Sequence, residues 1–78
     1  MLKELKKQFN YNLDRYSKAE KFFESDKFFN GTPVQQEKWL REFHSICRNL
    51  SKLQKEIENI LGRKMSAKET DYGFSEVR

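Results

Sequence analysis

The chain has 78 residues, a formal net charge of +4, and only three glycines and one proline. That length allows one domain burying about 60% of its extended surface, so a small core must hold it together. Cys47 is the only cysteine, which excludes an intrachain disulfide and fits a reducing compartment.

Charges at Lys3, Glu4, Lys6, Lys7 and Asp14 exclude a signal-peptide apolar region, and no apolar run is long enough to span a bilayer. The expectation is a soluble cytoplasmic protein with no membrane contact. Charged residues make up 36% of the chain and are spread along it without a basic block. This composition suits an all-α fold.

The first element is a helix over about residues 2–25. Leu2, Leu5, Phe9, Asn12, Tyr16, Ala19 and Phe23 alternate spacings of three and four, with Asn12 as one polar interruption. Leu13 and Phe22 widen this stripe. The stretch KFFESDKFF, residues 21–29, then repeats a Lys-Phe-Phe triplet after six positions. In one continuous helix that offset leaves the two pairs about 120° apart. The repeat is therefore better read as a corner, with Phe22 and Phe23 ending the helix and Phe28 and Phe29 folding over the bend.

The break over 26–32 contains Asn30-Gly31, which suits a positive φ, followed by Thr32 as N-cap and Pro33 at the first helical position. A second helix over about 33–61 follows. Trp39, Phe43, Ile46, Leu50, Leu53, Ile57 and Ile60 keep a heptad register of the coiled-coil type, flanked by Leu40, Cys47 and Leu61. Gly62 ends it, with Arg63 and Lys64 near its carbonyl end.

Residues 63–78 lack periodicity. Ser66 with Glu69 forms a capping-box pattern for a short third helix. The YGFSEVR tail is expected to be mobile unless Tyr72 and Phe74 dock on something.

Two helices joined by a short turn make an antiparallel helical hairpin over 1–62. Its apolar stripes are wider than one partner helix covers. Self-association into a dimeric four-helix bundle is the expected solution, and a third helix from the tail is the competing one.

Little here supports catalysis. His44 lies three residues before Cys47, but a structural zinc site needs four ligands and no second such pair exists. Cys47 reads as a small apolar residue beside the seam and His44 as a surface residue. No Gly-rich phosphate loop occurs. We expect no enzyme, no catalytic residue, no cofactor and no metal.

Helix one is amphipathic, with Lys3, Lys6, Lys7, Lys18 and Lys21 opposite Leu and Phe. Interfacial helices share that pattern, but helix two supplies a partner for its apolar face.

Two binding readings remain. Arg41, Arg48 and Lys55 are seven apart, with Lys38 and Lys52 beside them, and such a stripe could follow a phosphate backbone. It is also the charged outer face that any seam-forming helix carries, with Glu37–Arg41 and Lys52–Glu56 pairs at helical spacing. The favoured reading is a protein-protein interaction module. Its candidate contacts are Phe28, Phe29 and Trp39 at the turn end and Tyr72 and Phe74 in the tail, because aromatic residues are enriched in interface cores.

EKWLREFHSICRNLSKLQKEI (37–57) followed by MSAKETDYGF (65–74) resembles small uncharacterised phage and prophage proteins of low-GC Gram-positive bacteria. The matching positions are Glu37, Lys38, Trp39, Glu42, Phe43, Gly73 and Phe74. The resemblance implies a small accessory protein of mobile-element origin and brings no activity or site residues.

Overall fold

A computed structural model describes residues 1–78. Four helices and a final turn follow one another: α1 (Leu2–Phe23), α2 (Asp26–Phe29), α3 (Pro33–Leu61), α4 (Ala67–Tyr72) and a 3₁₀ turn at Ser75–Val77. There is no strand, and α1 with α3 forms the helical hairpin. No helix is long and apolar enough to cross a membrane.

The ends of α3 follow from local chemistry. Thr32 Oγ1 accepts a hydrogen bond from the Gln35 N–H at 3.2 Å, and Gln35 Oε1 accepts one from the Thr32 N–H at 3.0 Å. Pro33 starts the helix where no N–H is needed. At the other end Gly62 turns left-handed at φ 71° and its N–H donates to the Glu58 carbonyl at 2.9 Å. Twenty-nine residues at 1.5 Å span about 43 Å, which accounts for the molecule's 44 Å long axis.

The corner differs from the sequence expectation in three ways. α1 stops at Phe23, because Ser25 goes extended (φ −90°, ψ 158°) and its Oγ donates to the Phe22 carbonyl at 2.5 Å. A serine side chain thus bonds a carbonyl near the helix end. One turn of helix, α2, then occupies part of the expected turn. Asn30-Gly31 uses no positive φ, since Asn30 stays helical at φ −86° and only Gly62 and Gly73 have φ above zero. Gly31 matters instead for space: a Cβ there would lie 2.6 Å from Trp39 Cζ3. The glycine lets the indole lie against the turn backbone.

The core lies at the opposite, open end of the hairpin. Phe9 and Leu13 of α1, Leu53 and Ile57 of α3, and Met65 and Phe74 of the tail form its buried cluster. Phe74 is 1% exposed and meets Phe9 edge to face at 5.8 Å between ring centroids. The tail is therefore a structural part of the fold. Asn12, the polar break in the seam, is buried with its Nδ2 donating back to the Gln8 carbonyl at 2.9 Å. No buried side-chain polar atom lacks a partner, as a core this small requires.

Asn10 fastens the tail. Its Oδ1 accepts the Phe74 N–H at 2.7 Å and its Nδ2 donates to the Phe74 carbonyl at 2.9 Å, both buried. The side-chain amide thus satisfies both backbone groups of a residue that has left regular structure. Gly73 makes this approach possible: its φ of 80° with ψ −162° suits glycine, and any Cβ would collide with Asn10 Oδ1. Lys6–Glu76 at 2.7 Å and Arg78–Asp14 at 3.3 Å add ion pairs at the rim.

The tail helix is capped as Ser66 and Glu69 suggest. Ser66 Oγ accepts the Glu69 N–H at 3.1 Å and Glu69 Oε1 accepts the Ser66 N–H at 2.9 Å. Arg63 does not bond the last carbonyls of α3; it donates to the Lys64 carbonyl at 3.0 Å and pairs with Glu69 at 2.9 Å. That guanidinium, with the Ser66 N–H, lowers the Glu69 carboxyl to about 2.

Asn10→Ala and Gly73→Ala should each lower stability by about 1–3 kcal/mol in urea unfolding. The double variant should lose less than the sum, because both changes release the same segment; a neutral Asn10→Ala would refute the clamp. Glu69 has a folded pKa below its ordinary 4.5, so its contribution is present above 4.5 and fades as pH falls towards about 2. Amide protection factors at Thr70 and Gly73, corrected for the intrinsic pH dependence of exchange, should fall over that window, and Arg63→Gln should return the Glu69 carboxyl towards 4.5 in an NMR titration.

Candidate functional site

The break at Ser25 folds α2 back so that both Phe pairs converge. Phe22 meets Trp39 at 4.7 Å and Phe28 at 6.3 Å between centroids. Phe23 meets Phe28 at 4.8 Å and Phe43 at 5.1 Å. Phe43 in turn stacks on Tyr16 at 5.2 Å. Most of these pairs are edge to face, the arrangement that sets the positive ring edge on the negative face. Gln36 Nε2 donates to the Phe28 carbonyl at 3.0 Å and pins α2 to α3.

This corner is not sealed. Phe29 is 66% exposed and Val34 77% exposed. Phe22, Phe23, Phe28, Trp39 and Phe43 are half-buried. Between α1 and α3 a shallow groove of about 300 Å³ has Ala19, Phe22, Phe23, Trp39, Phe43 and Ile46 as its apolar lining. Arg15, Lys18 and Glu42 stand on its rim.

The sequence-derived candidates therefore separate. Phe29 is a surface residue. Phe28 and Trp39 are both wall and surface, since each packs in the aromatic cluster yet keeps part of its area in solvent. Tyr72 is 71% exposed but lies on the tail helix at the other end. Phe74 needs correction: fully enclosed, it anchors the tail to Phe9 and Asn10 and offers no surface to a partner. Val34, Arg15 and Lys18 belong to the turn-end surface and carry no signal in the apolar periodicity. Arg15 and Lys18 could have been found only by placing them beside Ala19 and Phe22 on the helix.

The basic residues Lys38, Arg41, Arg48, Lys52 and Lys55 are all exposed. Arg41 is engaged by Glu37 at 2.6 Å, while Lys52 makes no ion pair with Glu56. His44 is exposed and Cys47 half-buried. No three His, Cys, Asp or Glu side chains gather into a group that could hold a metal ion. Next to Cys47, the Tyr16 hydroxyl is pushed above its ordinary range by the Glu20 carboxylate, with burial adding to it.

Comparison of the chain with protein-family models, curated proteins and solved structures yields no match. The geometry of the corner is thus the main guide to function.

Gly31→Ala should test the corner directly. The added Cβ forces the Trp39 ring off the turn backbone, at a cost of about 1–3 kcal/mol as for other overpacked sites. Trp39 is the sole tryptophan, so its emission should shift while far-UV circular dichroism keeps its helical form. An unchanged emission spectrum would show that the ring does not sit there.

Proposed function

We propose that this chain is a small non-enzymatic module that binds another protein through the turn end of its hairpin. The observation that carries the reading is the open aromatic groove around Trp39, and Phe29 and Val34 at the same turn end are also exposed. Exposed apolar surface rimmed by charge marks interaction sites on small domains. Half-buried aromatics held by one another are pre-organised, so little side-chain entropy is lost on binding. The resemblance to small phage-type accessory proteins fits such a role.

A second reading has one observation in its favour. Lys38, Arg48, Lys52 and Lys55 take part in no ion pair, leaving their charge available to phosphate. Arg41, shared with Glu37, is the weakest member of that face.

Phe29→Ser with Val34→Ser is the test of choice, because both side chains are exposed and the cluster loses only the Phe28–Phe29 edge contact at 5.7 Å. Trp39→Ala or Phe28→Ala would damage that cluster and confuse folding with binding. A partner retained by the wild type should be retained about tenfold less by the double variant, a loss of about 1.4 kcal/mol. Equal retention, together with Trp39 emission that the bound partner does not move, removes the turn end as the site. Sedimentation at about 50 µM asks whether the partner is a second copy, since self-association grows with concentration. A DNA or RNA gel shift that fades steeply with salt and is lost on Arg48→Glu with Lys55→Glu would favour the second reading instead.

A further inference from the structure

The inference rests on the turn end being a protein-binding surface, and it concerns the chemistry of what binds there. The hairpin has a groove on each side of its helix pair. On one side the chain's own tail partly covers the groove near the open end, leaving about 410 Å³ open. Thr70 and Asp71 of α4 line that groove with Leu13, Tyr16 and Leu50, and Phe74 closes on Phe9 beyond them.

The opposite side has no such cover. Its turn-end half is floored by Ala19, Phe22, Trp39 and Ile46. Towards the open end it continues as a polar trough between Gln8 and Asn12 of α1 and Asn49, Lys52 and Glu56 of α3. No residue of the tail lines either stretch. From Gln8 to Phe22 the face runs about 21 Å at 1.5 Å per residue, the length of a four-turn helix. A helix laid there would complete a three-helix bundle and bury the apolar floor.

Charge narrows the occupant. Arg15 and Lys18 stand on the rim from α1 and Lys52 beside the polar half. Lys38 precedes Glu42 by one turn of α3, on the same side. None of these four cations is used in an ion pair of the fold, and Arg15 rests only over the Tyr11 ring at 5.7 Å. Two carboxylates, Glu42 and Glu56, oppose them. A second copy meeting this face across a two-fold axis would set Arg15 and Lys18 near their own counterparts. We infer that the uncovered groove binds an acidic amphipathic helix of another protein, with apolar anchors on Phe22, Trp39 and Ile46 and its Asp and Glu flank towards Arg15 and Lys18.

The test uses two synthetic peptides of about 18 residues, a length matched to the groove. Both carry Leu and Phe at helical i, i+3, i+4, i+7 spacing and no Trp. One has Glu on its flanks and the other has Lys. Trp39 emission reports binding to the full chain at about 50 mM salt, where screening is modest.

The acidic peptide should shift Trp39 emission and bind at least about tenfold tighter than its lysine twin. Arg15→Glu with Lys18→Glu, two exposed positions, should abolish or reverse that preference while circular dichroism stays unchanged. Equal or tighter binding of the lysine twin overturns the acidic partner and leaves the turn end as a protein site. Failure of both peptides to move Trp39 overturns the helix-binding groove, and the Phe29→Ser, Val34→Ser comparison then judges the wider reading by itself. A Trp39 shift on self-association alone assigns the groove to a second copy and overturns the inference as well.

Discussion

The pairing of Asn10 with the backbone of Phe74 is the interaction on which the rest depends. Two helices of this size bury too little between them to be secure, since each offers only one face. The tail adds Met65 and Phe74 to Phe9, Leu13, Leu53 and Ile57 and turns a pair of stripes into an enclosed core. Burying a Phe ring contributes about 2–3 kcal/mol. Its N–H and carbonyl must come in with it, and unpaired they would cost about as much. One side-chain amide satisfies both groups, and the missing side chain of Gly73 leaves room for it. Lys6 completes the arrangement, bonding Glu76 and lying 4.9 Å from the Phe74 ring centroid.

The two ends of the hairpin have been solved differently. The open end is closed by the chain itself, with polar groups matched and Phe9, Ile57 and Phe74 out of water. The turn end is held by ring-on-ring packing without a lid. Ser25 stops α1 one turn short of the bend, α2 brings Phe28 back over Phe22 and Phe23, and Gly31 admits Trp39. This leaves Phe29 and Val34 uncovered and Trp39 half covered. Charged rims without intrachain partners lie on the same uncovered side. Stability and accessible surface are thereby separated along the long axis.

Much of the frame was legible in the residues. Three-and-four spacing gives both long helices, and Thr32, Gly62 and Ser66 mark ends because capping acts within a few residues. The corner role of KFFESDKFF followed from its six-residue offset. Other features were illegible for stated reasons. Asn10 sits next to Phe9 and off the apolar stripe, so it looks like a solvent residue; its partner is 64 positions away. Phe74 read as a surface anchor because nothing local shows that a ring will be enclosed. The need for glycine at 31 is the shape of Trp39, eight residues on, and the turn motif alone suggested a different cause. At the site, aromatic content and closeness to the turn point to Phe28, Phe29 and Trp39, but their unequal exposure depends on how α2 folds back.

The sequence by itself determined an all-α chain, the antiparallel hairpin, and the helix ends set by Thr32-Pro33, Ser66 and Gly62. These rest on repeat period and on hydrogen bonds spanning three or four residues, which any short stretch carries within itself. The tertiary structure alone decided that the tail closes the core, that Phe74 is enclosed while Phe29 is not, and that the tail partly covers one interhelical groove and leaves the other bare. Those outcomes turn on whether groups distant in the chain arrive at hydrogen-bond and van der Waals distance together, and no local pattern encodes that distance.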